Sequence, residues 1–263
     1  THRFEDRNKL LRSVSAAIIL VFFAVYCAAG IVAGARLFES VFEVPYAQAI
    51  WYGAAATILY TFVGGFLAVS WTDTVQATLM FFALILTPVF VVLTLGGPET
   101  AIALVEQVDP ANLQFFKGAT VLGVVSLLAW GLGYVGQPHI LARFMAAENV
   151  RTLRGARRIG MTWMVLCLLG AMATGFFGIA YFAANPGQAG AVTANPERVF
   201  IELSSLLFNP WVAGILLSAI LAAVMSTLSC QLLVCSSAIT EDFYKGFLRP
   251  GAGQGELVWV GRF

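Results

Sequence analysis

Gly118-ATVLGVVSLLAWGLGYVGQPHIL-Ala142 runs for 25 residues without a Lys, Arg, Asp or Glu. A helix needs roughly 20 apolar residues to cross the hydrocarbon layer of a bilayer, so the stretch is long enough to span. Its second half, Trp130-Gly-Leu-Gly-Tyr134-Val-Gly-Gln-Pro138-His139, sets three glycines and a proline within eight positions. Glycine weakens a helix by about 1 kcal/mol relative to alanine, and an interior proline costs about 3 kcal/mol and removes a backbone donor. An interruption is therefore predicted at membrane depth, where freed backbone groups are tolerated only if they are buried in protein or line a cavity. Trp130, Tyr134 and Pro138 recur at i, i+4 and i+8, which puts them along one face if the turns persist. That face is a stiff aromatic and apolar wall suited to a compact ring; a packing kink with interfacial Trp and Tyr anchors accounts for the same residues.

The rest of the chain repeats the charge-free pattern. Of its 263 residues 59% are hydrophobic and 11% charged, outside the range of a water-soluble domain. Six windows lack any charge, and they predict membrane helices at about 13–35, 46–70, 75–96, 119–142, 159–183 and 210–238. Alternating short segments, the mark of a membrane β-barrel, are not seen. The predicted class is an all-α polytopic membrane protein, a single transmembrane domain over 1–263 in contact with the lipid bilayer.

Basic residues divide unevenly between the two sides of these spans. One side collects Arg3, Arg7, Lys9, Arg12, Arg143, Arg151, Arg154, Arg157, Arg158, Lys245, Arg249 and Arg262, and the other only Arg36, Lys117 and Arg198. Cytoplasmic loops gather Lys and Arg, so the 12 to 3 split predicts both ends of the chain on the cytoplasmic side. A net charge of +1 gives no support for a nucleic-acid partner. Cys27, Cys167, Cys230 and Cys235 lie in apolar windows without a C-x-x-C spacing, which reads as small buried side chains. The chain opens at Thr1 without methionine, and Leu257–Val260 reads as the start of another span, so further helices are expected at both ends.

The last window contains Ala222-Ala-Val-Met-Ser226-Thr227-Leu-Ser229-Cys230-Gln231. Ala223, Ser226 and Thr227 follow i, i+3 and i+4, so one carbonyl and two hydroxyls converge beside the helix. Uncharged oxygens suit a hard monovalent cation. Hydroxyls in membrane helices also bond back to the i−4 carbonyl or join neighbouring helices. No Asp, Glu, Lys or Arg lies inside any window, which leaves proton coupling little to act through. Asp73, in Trp71-Thr-Asp-Thr74, reads as a boundary between the second and third spans, either a helix cap or part of an inner gate.

Gly64-Gly-Phe-Leu-Ala-Val-Ser-Trp-Thr-Asp73-Thr-Val-Gln76 resembles the signature of the sodium/solute symporter family, as do the segments from Gly133 to Met145 and from Ile220 to Asp242. The resemblance runs along the whole chain. It implies a leucine-transporter-like fold of two inverted five-helix repeats, with this chain holding three helices of each. It implies sodium-coupled uptake of proline across the bacterial inner membrane by alternating access, with no enzymatic step. It further implies a sodium site at Ala223, Ser226 and Thr227, a proline site at Trp130, Tyr134 and Pro138 with Tyr26 on the same cavity, and an ion path at Asp73 and Arg3. Helices from outside these residues would complete both sites. A transporter-like membrane sensor joined to a signalling module is the alternative that the same residues allow.

Overall fold

A computed structural model describes residue 6, residues 8–114 and residues 118–262. Among them every regular element is helical. Helix α1 is Leu10–Phe42. Helical hydrogen bonding then runs over Tyr46–Thr94, but Gly65 stands at φ 55, ψ −151 and divides this into α2, residues 46–64, and α3, Gly65–Thr94. The left-handed φ makes glycine the natural residue at that break. Helices α4, Pro98–Val108, and α5, Val121–Ala129, follow; α5 tightens into a 3₁₀ turn over Trp130–Gly136. Then come α6, Pro138–Met145, α7, Val150–Ala184, and α8, Val199–Leu207. Helix α9, Pro210–Ser237, continues in the wider π geometry over Ala238–Leu248, and α10 is Gln254–Arg262.

Four helical segments are long and apolar enough to cross a bilayer: Leu10–Glu39, Gly65–Thr94, Val150–Ala184 and Pro210–Leu248. The pair Val121–Gly136 and Pro138–Met145, bent by 48°, makes a fifth if counted as one span. Of the six expected segments, 46–70 ends early, at Gly65, and α2 falls short of the same measure. The boundary expected at residues 71–74 is absent, because the Gly64-Gly65 pair supplies the one backbone conformation that breaks the helix. The basic run does not delay α7, which begins at Val150 and carries Arg151 to Arg158 in its first turns.

The chain divides into two compact units, residues 1–76 with 221–263 and residues 77–220. In the second unit, α3 and α7 approach closely. An interior proline cannot supply the N–H that the carbonyl four residues earlier would accept, and Pro88 in this way leaves the carbonyl of Leu84 without its helical donor. Gly170 of α7 lies against that carbonyl, and a Cβ there would sit 2.5 Å from it. Trp163 Nε1 donates to the carbonyl of Ala77 at 3.0 Å along the same contact. Val91, Tyr181, Phe182 and Leu203 form one core of this unit, and Ala83, Leu216 and Ala219 another.

In the first unit, Leu228 and Val224 of α9 lie against Gly30 and Gly34 of α1, and with Met225 and with Gly53 and Thr57 of α2 they line an apolar cavity of about 30 Å³. Glycines allow this approach without a strong hydrophobic drive, as is general for helices in lipid. At the other end of α1, Arg12 Nε donates to Asp242 Oδ1 at 2.7 Å and its guanidinium also reaches the carbonyl of Glu241. Lys9 Nζ donates to the carbonyl of Gly246 at 2.6 Å. Charged side chains thus tie the start of α1 to the π-helical end of α9.

Candidate ion- and solute-binding sites

Ala223, Ser226 and Thr227 occupy one turn of α9 in the first unit, and all three are half-buried. Ser226 Oγ and Thr227 Oγ1 each donate to the carbonyl of Ala223 at 3.1 Å. Three uncharged oxygens therefore gather at one point, on the spacing that the sequence predicted. Hydroxyls bonded back to a carbonyl are common in apolar helices. Here two of them share one acceptor, so rotating both O–H bonds outward presents two lone pairs beside a carbonyl oxygen. That donor set fits a sodium ion in chemistry and supplies about half of the six or so oxygens that hard cations gather.

One turn further along α9 the surroundings become strongly polar. Ser229 is fully buried and donates to the carbonyl of Ser226 at 3.1 Å. Cys230 Sγ lies 3.4 Å from Asp73 Oδ2 of α3. Tyr60 of α2 donates to the carbonyl of Met225 at 3.1 Å. Gln76 Oε1 is buried without a hydrogen-bond partner, as is Gln231 Nε2. Asp73 is not the boundary residue that the sequence suggested. It stands two turns inside α3, half-buried, so it caps nothing. Sequence reading missed Tyr60, since a lone Tyr carries no spacing signal and its partner on α9, Met225, lies 165 residues away.

The interrupted segment lies in the second unit. The 3₁₀ turn over Trp130–Gly136 ends at Gln137, which is extended at φ −75, ψ 117, and Pro138 begins α6 at a bend of 48°. The glycines and the proline place the break as their chemistry predicts. Pro138 consequently does not continue a helical face with Trp130 and Tyr134, since the turns that would carry it do not persist past Gly136. Trp130 and Tyr134 do meet: their ring centroids are 4.9 Å apart in an edge arrangement. Trp130 is 72% exposed and Tyr134 43%, so both rings offer free surface. Tyr26 is on α1 in the first unit, half-exposed. Arg3 lies outside the described residues.

The described residues thus hold helices long and apolar enough to cross a bilayer, a helix broken by 48° and a carbonyl paired with two hydroxyls, and a sequence profile for the Sodium:solute symporter family matches residues 1–263. The chain belongs to that family. It is 67% identical over 262 residues to a sodium/proline symporter of Escherichia coli (strain K12) and 66% identical to one of Salmonella typhimurium, each match covering 100% of this chain and 52% of the relative. A high-affinity proline transporter, PutP, of Bacillus subtilis is 49% identical over 261 residues, 99% of this chain and 54% of the relative. The chain spans about half the length of the curated relatives it matches. Among solved structures, a Na+-coupled sialic acid symporter in a substrate-bound outward-open state aligns with a TM-score of 0.80 at 19% identity, over 98% of this chain and 56% of that one. That likeness shows a shared all-helical fold.

Proposed function

We propose that the protein to which this chain belongs takes up proline together with sodium by alternating access across the bacterial inner membrane. The observation that carries the reading is the shared carbonyl of Ala223, which gathers the hydroxyls of Ser226 and Thr227, in a chain two-thirds identical to sodium/proline symporters. The sodium ion takes the Ala223 carbonyl and the two hydroxyls, with the remaining ligands from helices outside these residues. Proline, a compact apolar ring with a charged end, lies against Trp130, Tyr134 and Pro138. Asp73 and Arg3 serve the inner end of the ion path, where a carboxylate draws the cation in before it is desolvated. Both ends of the chain are cytoplasmic, supported by the 12 to 3 division of basic residues.

Coupling follows if sodium stabilises the conformation that binds proline. The two ligands then share a coupling free energy, commonly about 1–3 kcal/mol, which acts equally in both directions. The experiment is radiolabelled proline uptake into vesicles by the full-length protein, with sodium and pH gradients imposed separately. Uptake driven by the sodium gradient alone is expected; uptake driven only by the pH gradient, or no proline uptake, would refute the reading.

A further inference from the structure

The Tyr60 hydroxyl bridges two helices at one point. It donates to the carbonyl of Met225 at 3.1 Å, and Met225 immediately precedes Ser226 and Thr227. Within a helix that carbonyl already accepts the N–H four residues on, so Tyr60 uses its second lone pair. The tether thus falls on the backbone directly before the Ser226 and Thr227 hydroxyls. Tyr60 stands five residues before Gly65, where the chain turns into α3. Val224, Met225 and Leu228 of this part of α9 make apolar contacts along α1 and α2, and Cys230, one turn on, offers only a weak thiol donor to Asp73 at 3.4 Å. Apolar contact sets distance but permits sliding and rotation about the helix axis. A hydrogen bond to a backbone carbonyl does not.

We infer that Tyr60 is a positioning residue for sodium: its hydroxyl fixes the rotation and register of the α9 turn that presents the Ala223 carbonyl and the Ser226 and Thr227 hydroxyls. The inference rests on the proposed sodium role of those three oxygens. Tyr60 itself does not touch the ion. Its removal misaligns the ligands without removing one, and the loss falls on sodium affinity rather than on proline contacts.

Tyr60→Phe in the full-length protein tests this, because it keeps the ring packing and deletes only the hydroxyl. The half-saturating sodium concentration for proline uptake should rise roughly five-fold, the change expected for one neutral hydrogen bond. Half-saturation by proline at saturating sodium should stay as in the parent. Sodium-induced thermal stabilisation of the purified protein should shift to higher sodium in parallel, a readout that needs no transport. Thr61→Val is the control: its hydroxyl is buried but bonds only within α2, to the carbonyl of Thr57 at 2.7 Å, and it should leave the sodium titration unmoved. A Tyr60→Phe titration that superimposes on the parent overturns the inference, as does a shift that affects sodium, proline and melting temperature alike. The double variant Ser226→Ala/Thr227→Ala separates the two levels. If it shifts sodium dependence and Tyr60→Phe does not, only the Tyr60 role fails; if it too leaves sodium dependence unchanged, the sodium reading fails and the inference with it.

Discussion

Cys230 Sγ points at Asp73 Oδ2 across 3.4 Å, which brings the one carboxylate inside α3 to the face of α9 that also carries Ser226, one turn away. A carboxylate so placed is suited to attract a cation toward the hydroxyls of α9.

Asp73→Asn keeps the shape and one acceptor and removes the charge. The half-saturating sodium concentration for proline uptake should rise about ten-fold or more, as losing roughly 1.5 kcal/mol or more of charge-assisted attraction implies. A sodium titration of the variant checks this, and an unchanged curve would take Asp73 off the ion path.

Trp130 and Tyr134 hold their rings edge to face, 4.9 Å apart, so truncating one also unseats the other. Trp130→Ala should raise the proline concentration for half-maximal uptake about five- to thirty-fold, in line with an aromatic contact worth about 1–2 kcal/mol. Sodium dependence at saturating proline should change little. Concentration-dependent uptake measures both.

Gly170 touches the carbonyl that Pro88 leaves without a helical donor, and a methyl group has no room there. Gly170→Val should destabilise the 77–220 unit by about 1–3 kcal/mol through overpacking, seen as a lower melting temperature of the solubilised protein. Gly175, on the same helix with nothing within 4 Å of a Cβ, should accept alanine without loss.

Arg12 and Asp242 are joined at 2.7 Å with side chains 29% and 33% exposed. Solvent screening holds such a pair to about 1 kcal/mol or less. Asp242→Asn should therefore lower the melting temperature slightly and by less at high salt, and the swapped pair Arg12→Asp/Asp242→Arg should recover part of the loss in a thermal-unfolding assay.

The membrane helices were legible because lipid permits few choices: a long charge-free run must satisfy its own backbone, and a helix does so within one segment. The break near Trp130 was legible for the same reason, since Gly131, Gly133, Gly136 and Pro138 carry their conformational preferences locally. What failed were inferences that treated charge as a boundary. Asp73 marked a span end in the sequence, yet its burial against Cys230 lets it stay within α3, and the true break fell at Gly65, where backbone φ rather than polarity decides. Arg151 to Arg158 likewise lie before the charge-free window that opens at Ile159 without delaying the helix, because arginine is a good helix former and α7 begins ahead of the apolar stretch. The spacing of Ala223, Ser226 and Thr227 could be read from one helix. Tyr60 could not, because its contact with Met225 exists only once α2 and α9 have packed.

The most direct test of the α9 oxygens as the sodium site is a sodium titration of proline uptake by full-length protein carrying Ser226→Ala and Thr227→Ala together. The half-saturating sodium concentration should rise at least ten-fold at near-normal abundance in the membrane. A titration curve that coincides with that of the unaltered protein would contradict the account.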